Sequence, residues 1–181
     1  GSSAYDQAYF IEVDNQDNVY IYGQTAATGT TMIQSAVYNN PNSGNFITKY
    51  SSNLNQIIWS TVIGTGSGRP NLSPTAFLVD NCNRVYISGW GVSASAGNPL
   101  NPGNHLEAIF NMPITNDAFD NLSTTGDFYM AVFDENMSAM EYATFFGGST
   151  SQEHVDGGTS RFDRKGVIYQ SVCAGCGGLD D

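Results

Sequence analysis

The chain predicts an all-β fold in which four-stranded antiparallel sheets stack as β-propeller blades, about two and a half of them within 181 residues. Three observations carry this expectation. A hairpin-shaped segment recurs, turn formers alternate with β-branched and aromatic residues, and several strand-length segments are apolar without a break. A sheet with one wet face alternates apolar and polar residues, so unbroken runs point to sheets covered on both sides. Four-stranded sheets that cover one another face to face are propeller blades. A two-sheet sandwich is the alternative, and it leaves the repeat unexplained.

The first hairpin reads Val13-Asp14-Asn15-Gln16-Asp17-Asn18-Val19-Tyr20-Ile21-Tyr22-Gly23. Apolar residues stop at Asp14, an Asn/Asp-rich turn follows, and strand formers resume at Val19. The second hairpin runs from Phe46 to Gly64, with Trp59-Ser60-Thr61-Val62-Ile63 as its outgoing strand and Trp59 in the core. A third, Val79-Asp80 through Tyr86 to Gly89, repeats the first at an offset of 80 − 14 = 66. An insertion at residues 91–111 and the linker Met112-Pro113-Ile114-Thr115-Asn116-Asp117-Ala118-Phe119 come next. The fourth hairpin joins Phe128–Phe133 to Tyr142–Phe146 through Asp134-Glu135-Asn136, repeating the second at 133 − 50 = 83. A last copy, Phe162-Asp163-Arg164-Lys165-Gly166-Val167-Ile168-Tyr169, follows the third at 163 − 80 = 83. Tyr20, Tyr86 and Tyr169 therefore occupy one structural position. The copies span about 8–64, 76–148 and 154–181 of a single repeat segment, 1–181. Two hairpin pairs plus one extra hairpin cannot close a ring. The end sheets would expose more apolar surface than the few hundred Å² a soluble monomer tolerates. Flanking blades or domains of the same polypeptide, or a partner chain, are expected to cover them.

Composition narrows the function. Charged residues make up only 13%, the net charge is −11 and the pI is near 4.2. Six scattered basic residues do not make a phosphate-binding surface, which excludes nucleic acid and disfavours an anionic membrane. No apolar run approaches the roughly 20 residues of a membrane helix. Residues 1–6 lack the basic and apolar segments of a signal peptide, so an export signal is expected outside this excerpt.

These residues resemble the bacterial SBBP repeats, named for a seven-bladed β-propeller. Asp127-Phe128, Tyr142-Ala143-Thr144-Phe145-Phe146-Gly147-Gly148 and Val79-Asp80 through Gly89 fit the pattern, as does the linker 112–119. The resemblance covers most of the chain outside residues 91–111. The block from Glu153 to Asp163, ending in Cys173-Ala174-Gly175-Cys176-Gly177-Gly178, resembles large surface proteins of gliding Bacteroidota. What that resemblance implies is export through the type IX secretion system, contact with the secretion machinery, and an extracellular or cell-surface location. The chain departs from the pattern in its long insertion and in a third turn reading Arg164-Lys165-Gly166.

Candidate sites are few. Cys82 sits in a hairpin turn, whereas Cys173 aligns with Trp90 at the far end of a strand (173 − 83 = 90). About 5 residues of strand at ~3.3 Å each separate those levels, and bridged Cα atoms lie within about 7 Å. A Cys82–Cys173 bridge is therefore not expected, and a local Cys173–Cys176 disulfide is the expected pairing in an oxidising compartment. Redox chemistry lacks its βαβ context. Zinc held by the cysteines and His154 suffers the same separation. Glu153, His154 and Asp156 cluster beside glycines and are candidate ligand-binding residues, set against an ordinary loop fixed by local hydrogen bonds. Asp14, Asn15 and Asp17 invite calcium but lack the spacing of a calcium loop, so no cofactor is expected. Trp90 stands between two glycines at the mouth of the insertion, where its ring could stack on a sugar or pack beneath the loop. His105 lies within the insertion, where loop residues on rigid sheets carry specificity.

No nucleophile elbow, zinc helix or phosphate loop is present. The expectation is a non-enzymatic surface module, an adhesin or scaffold that binds a glycan or protein through its loops. Two rivals stand beside it: the propeller of a polysaccharide-active enzyme completed by missing blades, and a passive spacer or cargo segment.

Overall fold

A computed structural model describes residues 1–93, 106–124, 126–150, 153–154, 160–171 and 173–174. These residues are all-β, with no helix among them. The first sheet holds β1 (Asp6–Val13), β2 (Val19–Thr25), β3 (Asn45–Tyr50) and β4 (Ile57–Ile63), in that order and antiparallel throughout. The second holds β5 (Ser73–Val79), β6 (Val85–Trp90), β7 (Phe128–Phe133) and β8 (Met140–Phe146), again in chain order and antiparallel. After them, β10 (Ser160–Phe162) pairs with β11 (Ile168–Gln170), and β9 (Glu153–His154) pairs with β12 (Cys173–Ala174).

The repeat extends to the irregularities. An extra residue interrupts the β1–β2 ladder at Tyr9 and the β5–β6 ladder at Thr75, where 75 − 9 = 66. Ile58 in β4 and Glu141 in β8 are extra in the same way, and 141 − 58 = 83. Such bulges increase local twist and re-aim side chains. The turns agree too: the left-handed position falls on Asp17 (φ 61°), Asn83 (φ 61°) and Gly166 (φ 80°). Asn and Asp tolerate this conformation better than most residues, and Gly adopts it without strain. The third turn, which departs from the first two in sequence, thus keeps their backbone.

Pairing assigns every side chain to one of two sheet faces. The front face of the first sheet carries Phe10, Tyr20, Tyr22, Ile47 and Trp59; its back carries Ile11, Val13, Val19, Ile21, Tyr50 and Ile57. Front packs on the back of the second sheet, with Tyr22 and Phe77 rings 5.6 Å apart and both sheets contributing to one buried cluster. The front of the second sheet in turn carries Tyr86 against Phe162 of β10, at 5.8 Å. Since 162 − 83 = 79 and 79 − 66 = 13, Phe162 is a back-face residue as well. Each junction joins a front to a back, so the units stack head to tail.

Position in the stack decides burial. Phe77 and Val79 are 6% and 5% exposed beneath the first sheet, whereas their counterparts Ile11 and Val13 are 67% and 48% exposed. The back of the second sheet is thus covered, whereas the first, an end sheet, exposes apolar residues on its back as expected. Phe146, on the opposite edge strand of the second front face, is also exposed, while β10 of the third unit packs on β5 and β6.

The ends of the insertion at 91–111 are structural. Val92 bridges to Ala108, Glu107 donates its N–H to the Pro70 carbonyl, and Leu106, Ile109 and Met112 are buried. A Cβ on Gly91 would lie 2.5 Å from Ile109, so the loop returns to the sheet at a point only glycine leaves open.

Candidate functional site

The acidic turns are clasps. Asp14 accepts the Gln16 and Asn18 backbone N–H groups at 2.9 Å each, the Asn18 amide at 3.0 Å and the Tyr20 hydroxyl at 3.1 Å. The Lys49 ammonium lies 3.1 Å from the same carboxylate and 4.8 Å from the Tyr20 ring centre. Burial works against the charge, yet these donors outweigh it and hold the Asp14 carboxyl down at about 2. Asp80 repeats the pattern with Cys82, Arg84 and Tyr86, and Asp163 with Lys165, Val167 and Tyr169. Donors and an ammonium fill the surroundings of Asp14 where a cation would need oxygen ligands, so this turn does not fit calcium. Asn15 instead donates to the Asn81 carbonyl at 3.3 Å, tying equivalent turns of adjacent units together.

Glu153, a predicted site residue, is buried rather than presented to a ligand. Its backbone N–H donates to the Gly126 carbonyl at 2.9 Å and its Oε1 accepts the Gly148 N–H at 2.8 Å. Its side chain meets the carboxyl of Asp127, itself buried. Burial first, and the neighbouring Asp127 carboxyl next, push the Glu153 carboxyl up. The pair suits proton sharing between the second sheet and the start of the third unit, and burial closes it to a substrate. His154 follows in β9, paired with Cys173 of β12, while the side chains of both lie outside the description. Asp156, His105 and Cys176 lie outside the described residues. Cys82 carries a free, exposed thiol. Among the described residues no three His, Cys, Asp or Glu side chains converge on a metal position.

Trp90 ends β6 half-buried, between Ser73 and Phe128 on the neighbouring strands. Its counterpart one unit earlier is Gln24, since 90 − 24 = 66, and there the structure reveals a site the sequence did not announce. A cavity of about 460 Å³ opens at this end of the first sheet, lined by Tyr5, Gln7, Tyr9, Gln24 and Arg69 among others. That volume falls within the roughly 300–1,000 Å³ of small-ligand pockets. Tyr9, the bulge residue, donates its hydroxyl to Gln24 Oε1 at 2.9 Å, and Tyr5 donates to Gln7 Oε1. Burial, with Tyr5 adding to it, pushes the Tyr9 hydroxyl up, so it stays a donor at neutral pH. Gln24 Nε2 donates to the Leu72 carbonyl at 2.7 Å, and Asn45 holds the same linker through its own amide at 2.9 Å. A Cβ on Gly44 would meet the Pro70 nitrogen at 2.2 Å, so the linker bearing Arg69 lies directly on bare backbone. No motif marks this cavity. The one available signal was that Gln24 aligned with Trp90.

A scan of protein-family models finds no match to the chain, and a search of curated proteins finds no relative.

Proposed function

We propose that the chain is a segment of an SBBP-type β-propeller, acting as a non-catalytic adhesin or scaffold that binds a glycan or protein at loop-lined sites. The supporting observation is head-to-tail stacking. Two four-stranded sheets of matching hairpins meet front to back, and the β10–β11 hairpin meets the second sheet in the same sense, as blades do around a propeller axis. The exposed back face of the first sheet is then the seat of a flanking blade of the same polypeptide or of a partner chain. Export by a type IX system of a gliding bacterium, and a cell-surface location, rest on the sequence resemblance alone. A binding role is favoured over a passive spacer by the cavity beside Tyr9. An enzymatic role gains nothing from the Glu153–Asp127 pair, because the two carboxyls meet each other and leave no room between them for a scissile glycosidic bond.

The test combines two measurements on the purified chain. Panels of polysaccharides and peptides should be left uncleaved, and a glycan array or cell-surface overlay should register binding. Turnover of any substrate overturns the non-catalytic assignment. Blank arrays and overlays leave a spacer.

A further inference from the structure

We propose that the cavity beside Tyr9 binds a saccharide bearing a carboxylate, a uronic-acid unit, with Arg69 taking the carboxylate and Tyr9 and Tyr5 presenting ring faces to the sugar. This deepens the glycan-binding function proposed above and rests on it.

The chemistry of the lining selects the ligand. Tyr5 and Tyr9 are 66% and 40% exposed, which leaves ring surface open at the mouth of a defined hollow. Aromatic faces rimmed by hydrogen-bonding groups suit a molecule with an apolar C–H face and a hydroxyl edge. Gln7 and the two phenols supply both donors and acceptors for such hydroxyls, with Gln24 holding Tyr9 from behind. Arg69 adds the discriminating group. The chain has 17 acidic residues and only six basic ones, yet Arg69 forms no ion pair among the described residues. A guanidinium offers two parallel N–H donors that match the two oxygens of a carboxylate.

The site is also held in shape before any ligand arrives. The bond from Tyr9 to Gln24, the clamp of Gln24 and Asn45 on Leu72, and the contact of Pro70 with Gly44 form one connected support. Gln24 is itself buried, so its amide cannot swing into water. Preorganisation of this kind removes much of the ordering cost of binding. An extended peptide is a poorer occupant. β1 is an edge strand, but the bulge at Tyr9 breaks the regular ladder a peptide strand would extend.

The experiment titrates the intact chain with trigalacturonate, a neutral galactose trisaccharide, a sulfated trisaccharide and a tetrapeptide with a free carboxylate. The expected result is tightest binding of trigalacturonate, weakened at least tenfold by Arg69→Gln and by Tyr9→Ala, with the melting temperature of Arg69→Gln unchanged. Equal affinity for the neutral sugar, tighter binding of the sulfated sugar or peptide, or an Arg69→Gln variant that binds like wild type overturns the proposal. Trigalacturonate binding lost in Trp90→Ala but intact in Arg69→Gln overturns this site while glycan binding itself survives. Absence of binding to every saccharide overturns this site and the glycan reading it rests on, leaving protein binding to the overlay.

Discussion

Substituting alanine at Asp14, Asp80 and Asp163 removes the same clasp from three environments. Asp14→Ala takes the partner from Lys49, which is 9% exposed, and from the Tyr20 hydroxyl, which is fully buried. Breaking a buried ion pair from one side costs about 3–5 kcal/mol, because the remaining charge stays desolvated. At a urea slope of about 2 kcal/mol/M this moves the unfolding midpoint down by roughly 2 M. Asp80→Ala loses the same turn bonds and one of the Tyr86 hydroxyl's partners, with the Arg84 side chain still beside it, and leaves no buried cation, for about 1–3 kcal/mol. Asp163→Ala should cost least, since Tyr169 is 55% exposed and water replaces the lost partner. Urea titrations followed by circular dichroism rank the three. A midpoint for Asp163→Ala as low as that for Asp14→Ala, or a loss below about 1 kcal/mol at Asp14, would refute the assignment of the cost to burial. The pH dependence follows from the same group. The Asp14 carboxyl falls from 3.8 in the unfolded chain to about 2 in the folded one. A depressed carboxyl stabilises fully above its unfolded value, and here that contribution, about 2 kcal/mol, drains away as pH falls from about 4 toward 2. Asp134, held down against burial by Ser138 and the Ala139 N–H, adds to the acid-side loss. Asp14→Asn should flatten the curve in that window.

Phe77→Ala should cost about 3–5 kcal/mol, whereas Ile11→Ala at the equivalent exposed position should stay within about 0.5 kcal/mol, as chemical denaturation of both variants would show. Gly166→Ala forces a Cβ into a left-handed turn and to 2.7 Å from the Tyr86 hydroxyl, so it should lower stability by about 1 kcal/mol or more. Asn83→Gly, at the matching turn, should be close to neutral in the same thermal scans. Glu153→Gln should stabilise the chain increasingly as pH rises. A carboxyl whose folded value is raised by burial and by Asp127 gives its full stabilisation below its unfolded value and loses it on ionising. Melting temperatures of variant and wild type that stay parallel from pH 4 to 8 would count against that environment.

Much of the fold was legible because a repeat compares the chain with itself. Tyr20, Tyr86 and Tyr169 were aligned from sequence, and all three donate to the aspartate six residues earlier. Strand ends at Val13 and Val19 followed from where apolar residues stop and resume. The bulges at Tyr9 and Thr75 were not visible, because an extra residue in one strand leaves no compositional trace. The candidate site was legible only in part. Glu153 was singled out as an acid beside glycines, but the carboxyl it meets is Asp127, far from it in sequence. The cavity at Arg69 escaped notice because a lone arginine in a glycine-rich linker reads as a turn, and only the clamp on Leu72 gives it a fixed place.

Head-to-tail stacking has a consequence that a two-fold interface lacks. When front meets front, a pair closes on itself; when front meets back, every unit added leaves another front and another back open. Such a stack ends only when rotation brings the last front onto the first back, or when the end units carry polar outer faces. The first unit carries a mixed one. Ile11, Val13, Val19, Ile21 and Tyr50 hold the positions of the buried Phe77, Val79, Val85, Ile87 and Phe133, while Thr48 and Ser60 stand where the second sheet has Ala131 and Ala143. Ile11 and Val13 are the most exposed of these apolar residues, so the end of the back face nearest the first turn is where cover by another unit would bury the most apolar surface.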